Sequence, residues 1–366
     1  MKSAVSILLT RLLSLISFFF LSIHTEAQTI TIPVVVHVLW KTSAENISDA
    51  QVQSQIDVLN EDFGRINADT INTPAVWQSI AANTEIQFCL AQTDPLGNPT
   101  TGIVHVQTTV NSFTNDDAVK FHAQGGDDSW DATRYFNIWV CNLGNGFIGY
   151  AAFPSFPQNI YGVVMKYNVF GRIGNIDPSY NKGRSTTHEI AHCFNLSNLA
   201  PVSNCVDNDS VPDTPTPSVA SYGCPTYPLL SACNPVTSDM FMNFMAYTDD
   251  SCMNLFTLGQ KQRMRAVLTS PPYNSLSTSN VCNYTGINKL NNISPHLVFP
   301  NPSGGKFIVE AKGDLIIYNL YGKRIFQQKL ISGKSEIDLS NYSKGIYFIY
   351  LSSEKGEIFT GKIILE

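Results

Sequence analysis

An α/β domain on a mixed, twisted sheet, followed by a small all-β sandwich, is the fold class that this 366-residue chain predicts. Two observations carry the first part. A β-branched run near the N-terminus is followed at once by a helical repeat, and more strand-like runs come after it. A third observation carries the second part. From residue 297 the helical period is gone, and short strand-like runs alternate with Gly, Asn, Pro and Ser. The composition, 43% hydrophobic and 11% aromatic, is that of packed cores rather than disorder. A net charge of -6 without any Lys/Arg-rich run argues against a nucleic-acid partner.

Taken in order, residues 1–27 read as a secretory signal: Lys2 and Arg11, an apolar run from Leu12 to Ile23, then Thr25-Glu26-Ala27. The run is too short to span a bilayer and no longer one follows, so no stable membrane span is expected. "TITIPVVVHVLW" (29–40) predicts a buried strand. "SDAQVQSQIDVLNEDFGRIN" (48–67) predicts a helix capped by Ser48 or Asp49, with Val52, Ile56, Leu59 and Phe63 on one face. "TEIQFCLAQ" (84–92) and "RYFNIWVCNL" (134–143) predict further strands, with Cys89 and Cys141 near their ends. "GNGFIG" (144–149) matches the spacing of a dinucleotide-binding turn, but "YAAFPSFP" follows where a helix is needed. It reads instead as a turn into an edge strand near residues 147–153.

After Ala200 periodicity is lost until "TLGQKQRMRAVLTS" (257–270), a helix with Thr257 as cap. The intervening stretch holds Cys205, Cys224, Cys233 and Cys252, and an exported chain favours disulfides among them. Spacing alone leaves three pairings open. The expected organisation is therefore a signal (1–27), a main domain (28–285), a polar linker (286–296) and the sandwich (297–366).

Chemistry concentrates in "STTHEIAHCFNLSN" (185–198). On a helix His188 and His192, four apart, share a face and present two imidazoles to one ion, with Glu189 beside them. Zinc lowers the pKa of water toward neutrality, and a neighbouring carboxylate takes the proton as that water attacks a peptide carbonyl. Ser185, Thr186 or Thr187 is expected to cap the helix. Asn195, three residues after His192, tolerates the left-handed conformation, and the resemblance given below implies a sharp bend there.

With these residues the sequence resembles the pappalysin-like (cytophagalysin) branch of the metzincin peptidases. "HEIAHCFNLSN" matches that branch's H-E-x-x-H-x-x-[GN]-x-x-H up to its last residue, and "VPDTPTP" (211–217), "DMFMNFMAYTDDSCMNLF" (239–256) and "NIWVCNLGNGFIGYAAFP" (137–154) match further blocks. The resemblance implies His188 and His192 as zinc ligands, Glu189 as general base, Met245 as hydrophobic support beneath the metal, and Tyr247 as the oxyanion partner. It implies Cys205–Cys233 and Cys224–Cys252 as disulfides. Cys89–Cys141 is a further candidate pair, with Cys193 and Cys282 unassigned. It also implies structural calcium, for which Asp207, Asp209, Asp213 and Thr214 offer oxygens. A preference for a basic residue after the scissile bond would use Asp249 or Asp250, although Ser251 precedes Cys252.

The departure is Asn198, which stands where the third zinc histidine belongs. Its amide oxygen is a harder, neutral donor than imidazole. Of the other histidines, His37, His105 and His122 lie in the N-terminal half, and a carboxylate such as Asp207 is the alternative third donor.

The C-terminal runs "VFPNPSGGKFIVE", "IIYNLYGKRIF" and "SKGIYFIYLSSEKGEIFTGKIILE" resemble the sorting domain of Bacteroidetes type IX secretion cargo. This implies passage through the periplasm to the cell surface or medium, with the type IX machinery as partner. Two functional readings follow. One is a secreted zinc endopeptidase acting on protein or peptide substrates. The other is an inactive pseudoprotease that binds peptides or surface proteins through the same cleft.

Overall fold

A computed structural model describes residues 28–199, 205, 209–282, 291–292, 298–352 and 358–366. The signal segment, Asp207 and most of the linker lie outside the described residues. The chain divides into two compact units at residue 284.

Strand β1 (Ile30–Trp40) is the spine of the first unit. Its eleven residues are long enough to pair two strands in succession along one edge. β2 (Ile86–Leu90) pairs with the first half and β3 (Ile103–Gln107) with the second, both parallel. β4 (Phe136–Cys141) lies parallel on the other edge, followed by β6 (Gly162–Lys166), also parallel. β5 (Gly149–Ala151) closes the order β2-β1-β4-β6-β5 as an antiparallel edge strand. Parallel strands are covered on both faces, which is why all six residues of β4 are buried.

Helix α1 (Asp49–Phe63) starts at Ser48, whose hydroxyl accepts the amide hydrogen of Gln51. It lays the buried side chains of Val52, Ile56, Leu59 and Phe63 onto the core that includes Ile32, Val34, Val36 and Val38. The helix stops four residues before the predicted end because Gly64 and then Arg65, at φ 52°, turn the chain away. α2 (Arg184–Cys193) carries the histidines on the same side of the sheet, and α3 (Leu258–Leu268) follows the long loop. α3 is held by a capping box between Thr257 and Gln260. β3 and β6, for which the sequence reading named no strand, complete the sheet.

The second unit is all-β. β10 (Gly313–Asn319), β11 (Arg324–Leu330), β13 (Gly345–Ser352) and β14 (Ile358–Leu365) pair antiparallel, with β7 (Asn291–Asn292) joining parallel at the edge. β8 (Val298–Phe299), β9 (Lys306–Val309) and β12 (Ser335–Asp338) form the second sheet. Leu315, Ile317, Ile349, Leu351, Phe307 and Val309 fill the space between them.

Three disulfides are present. Cys205–Cys233 and Cys224–Cys252 interleave across the long loop, with Cα separations of 5.3 and 5.5 Å. The third joins Cys89 to Cys282, not to Cys141. The Cys89–Cys141 pairing fails because β2 and β4 flank β1 on opposite sides. Two strand spacings, about 10 Å, exceed the reach of a disulfide. Cys141 and Cys193 are buried thiols.

Candidate active site

Helix α2 does not take its cap from its own serine or threonines. Its N-cap is Gly183, at φ 73°, and the carboxylate of Asp250 accepts the amide hydrogens of Lys182 and Arg184, both at 3.0 Å. Thr186 and Thr187 lie inside the helix and turn to its back. Their hydroxyls donate to Gln55 Oε1 (3.0 Å) and Asp62 Oδ2 (2.8 Å). Asp250 is 1% exposed, so it serves the helix end and not a basic substrate side chain. Arg184 completes this back face. It grips Asp69 through two bonds of 2.6 Å, reaches Asp62 at 3.4 Å and donates to the Asp250 carbonyl at 2.8 Å. Burial pushes Asp62 up to about 7 against the pull of Arg184. Burial opposes ionisation of Asp69 too, but the bonds from Arg184 hold it well below the usual carboxylate range.

The front face is arranged differently. His188 Nδ1 lies 2.7 Å from the Phe244 carbonyl and His192 Nδ1 2.7 Å from the Leu196 carbonyl. A carbonyl only accepts, so each Nδ1 carries the hydrogen and each Nε2 presents a lone pair. The two Nε2 atoms face one another at 3.1 Å. Two nitrogens bound tetrahedrally at about 2.0–2.1 Å from zinc would be about 3.3 Å apart. Burial, and then His192, lowers His188 to about 3, and burial lowers His192 as well, so both favour the neutral, metal-binding form.

The chain leaves α2 through the predicted bend: Asn195 has φ 70°, and Leu196 N–H returns to the Ala191 carbonyl. The bend lets Leu196 hold His192 and brings Asn198 back beside both imidazoles and the Tyr247 hydroxyl, whose protonation it influences. Among the described residues, Asn198 Oδ1 is buried and has no hydrogen-bond partner. Leu199 N–H donates to the Met245 carbonyl at 2.9 Å, which anchors the returning chain. Met245 is fully buried, and its own N–H donates to Asn243 Oδ1. Asn243 is locked by a reciprocal amide pair with Gln260 of α3, at 2.8 and 2.9 Å. The methionine turn thus contributes through its main chain, a role that residue spacing could not reveal.

Glu189 lies on the side facing β5. A Cβ built on Gly149 would lie 3.1 Å from Glu189 Cγ and 2.8 Å from Met165 Sδ, so the edge strand passes close to both side chains. Burial pushes Glu189 up to about 8. Tyr247 is 38% exposed and stacks on Tyr222, with ring centroids 6.2 Å apart.

Other candidates are occupied elsewhere. His37 bonds Asp127 and Asn137 above the sheet, and His105 bonds Asn46 and Asp49, so neither supplies a third ligand. Asp213 accepts from Thr257 Oγ1 (2.7 Å) and Gly259 N–H (2.8 Å), reinforcing the α3 cap. Asp209 accepts from Thr214 Oγ1 (2.7 Å) and Val211 N–H. Asp209 and Thr214 thus bond each other while Asp213 serves the α3 cap, and among the described residues no three His, Cys, Asp or Glu side chains surround a common metal position.

Comparison with known proteins fits this geometry. Residues 120–269 match the family model described as pregnancy-associated plasma protein-A, and residues 297–366 match that of the secretion system C-terminal sorting domain. An extracellular metalloprotease of Arthroderma gypseum is 30% identical over 252 residues, covering 67% of this chain and 74% of the relative. One from Verticillium alfalfae is 29% identical over 259 residues, covering 67% and 79%. Among solved structures, Tannerella forsythia mature mirolysin in complex with a cleaved peptide is 45% identical. It aligns with a TM-score of 0.67 over 70% of this chain and 98% of that one. Mirolysin in complex with a small compound aligns equally well.

Proposed function

Because the chain belongs to the pappalysin family and is a metalloendopeptidase, we propose that His188, His192 and Asn198 together hold its zinc ion and that Glu189 is its general base. The carrying observation is the convergence of three acceptors. Two imidazole lone pairs face each other at 3.1 Å, and an amide oxygen beside them has no partner. Facing lone pairs repel unless a cation or proton sits between them, and a buried unsatisfied oxygen costs about 1–3 kcal/mol. The donor set fits a divalent ion, with the carbonyls of Phe244 and Leu196 accepting from the Nδ1 hydrogens and so aiming the imidazoles.

Bound there, zinc supplies Lewis acidity to the scissile carbonyl and acidifies water. Glu189, beside His188 and facing β5, takes the proton of the attacking water and returns it to the leaving nitrogen. The Tyr247 hydroxyl, beside Asn198, donates to the oxygen on which negative charge develops. β5 offers its open edge to an extended peptide, which binds as an added strand. The sorting module marks the chain for secretion. We assign residues 1–27 to export into the periplasm and 297–366 to passage across the outer membrane. Among the described residues no helix is long and apolar enough to cross a membrane.

The test is zinc content per chain, by elemental mass spectrometry, together with peptide hydrolysis, for the full chain and its Glu189→Gln variant. Near-stoichiometric zinc in both, with hydrolysis only in the first, is expected. A chain without zinc that still binds peptide would instead be the pseudoprotease.

A further inference from the structure

The two edges of the main sheet are treated differently. On β2 the Asn60 side chain accepts from Phe88 N–H at 2.8 Å and donates to the Phe88 carbonyl at 3.0 Å, filling the pairing positions a further strand would use. On β5, Ile148 and Ala152 bond β6, and Tyr150 pairs with Val164. The main-chain groups of Gly149 and Ala151 therefore point to the open edge. A three-residue strand has little stability of its own, yet this one must hold both a peptide and the approach to Glu189.

Its support lies on the opposite face of the sheet. His37 of β1 pairs with Trp139 of β4, Trp139 with Val164 of β6, and Val164 with Tyr150 of β5, so these four form one cross-strand row. His37 stacks on Trp139 at 5.3 Å. Above the small Val164 the row leaves room between two aromatic rings, and Lys120 fills it. The ammonium lies 5.4 Å from the Trp139 ring centre and 5.2 Å from that of Tyr150. It also donates to the Ile160 carbonyl at 2.7 Å, two residues before β6, and pairs with Asp117 at 2.8 Å. Lys120 is 1% exposed, an uncommon position for a lysine; apart from Asp117 on its own turn, the partners of its ammonium lie in that row or just before β6.

Resting on the reading of β5 as the peptide-binding strand, we propose that Lys120 is a positioning residue for substrate: its buried ammonium holds the edge strand in the register at which peptide and Glu189 meet. It touches neither the peptide nor the metal ligands. Its loss therefore weakens strand addition and leaves zinc in place.

The test compares the full chain with Lys120→Met, Tyr150→Leu and Tyr150→Phe. Three quantities are measured: zinc content, affinity for an extended peptide against that for a short hydroxamate needing only the metal, and amide exchange of residues 148–152. Lys120→Met and Tyr150→Leu should weaken extended-peptide binding about tenfold, the scale of one desolvated cation–π contact. Exchange at 148–152 should quicken, while zinc content and hydroxamate affinity stay unchanged. Tyr150→Phe keeps the ring and should match the unsubstituted chain. Unaltered peptide binding, or equal loss of peptide and hydroxamate, overturns the proposal. Should the chain bind neither zinc nor peptide, the peptidase reading fails, and exchange at 148–152 still decides the role of Lys120. If Lys120→Met does not fold, Tyr150→Leu carries the comparison.

Discussion

The back and front of helix α2 are opposite solutions to burying polar groups. Behind it, Arg184, Asp62, Asp69, Asp250 and Thr187 satisfy one another within the protein. In front, the Nε2 atoms of His188 and His192 face one another, and among the described residues no donor reaches Asn198 Oδ1 within hydrogen-bond geometry. A ten-residue helix packed by charge on one side can hold unsatisfied acceptors on the other. The difference separates a structural network from the cluster of acceptors proposed above to hold the metal.

The strongest way to break that contrast is Arg184→Met. Removing one partner strands buried carboxylates, and such losses typically cost about 3–5 kcal/mol. Thermal and denaturant unfolding should show it, with zinc content falling only as the fold is lost. If the melting temperature hardly moves, the back face is not what holds α2.

Asn198→His sharpens the front face. Replacing the amide oxygen with an imidazole nitrogen should tighten zinc binding about 10- to 100-fold, measured by chelator competition, with little change in melting temperature. Unchanged affinity would mean that position 198 does not reach the metal.

The last contrast concerns pH. Asp62 is raised from 3.8 to about 7, so the folded chain holds its proton where the unfolded chain releases it. Its contribution to stability is present below 3.8 and is lost as pH rises toward about 7. Asp69, depressed in the fold, acts in the opposite sense: its contribution is lost as pH falls below the ordinary carboxylate range. Asp62→Asn should therefore flatten the decline across the upper window while leaving the acid limb. A decline that survives the substitution would assign it to another group.

Much of this was legible in the sequence. The β1–α1 pair followed from β-branched content and a 3.6 repeat. The histidine pair followed from its four-residue spacing, and the bend from an asparagine that tolerates positive φ. The edge strand after "GNGFIG" followed from what comes after that motif. Strands β3 and β6 were not legible, although at five residues they are no shorter than β2. The cap of α2 was misplaced because Asp250, more than sixty positions away, outcompetes the adjacent hydroxyls. Cys89 was mispaired because strand order, not sequence, places Cys141 two strands off.

By itself the sequence determined much of the local conformation, the helix that carries the histidine pair and the division into two units, because periodicity, capping and turn chemistry act over a few residues. Only the tertiary structure decided which distant groups meet. It set Phe244 and Leu196 against the imidazoles, Asn243 against Gln260, and Lys120 between two rings. It also left Asn198 Oδ1 bare. Burial and hydrogen-bond satisfaction are properties of the assembled core, and they belong to no stretch of chain alone.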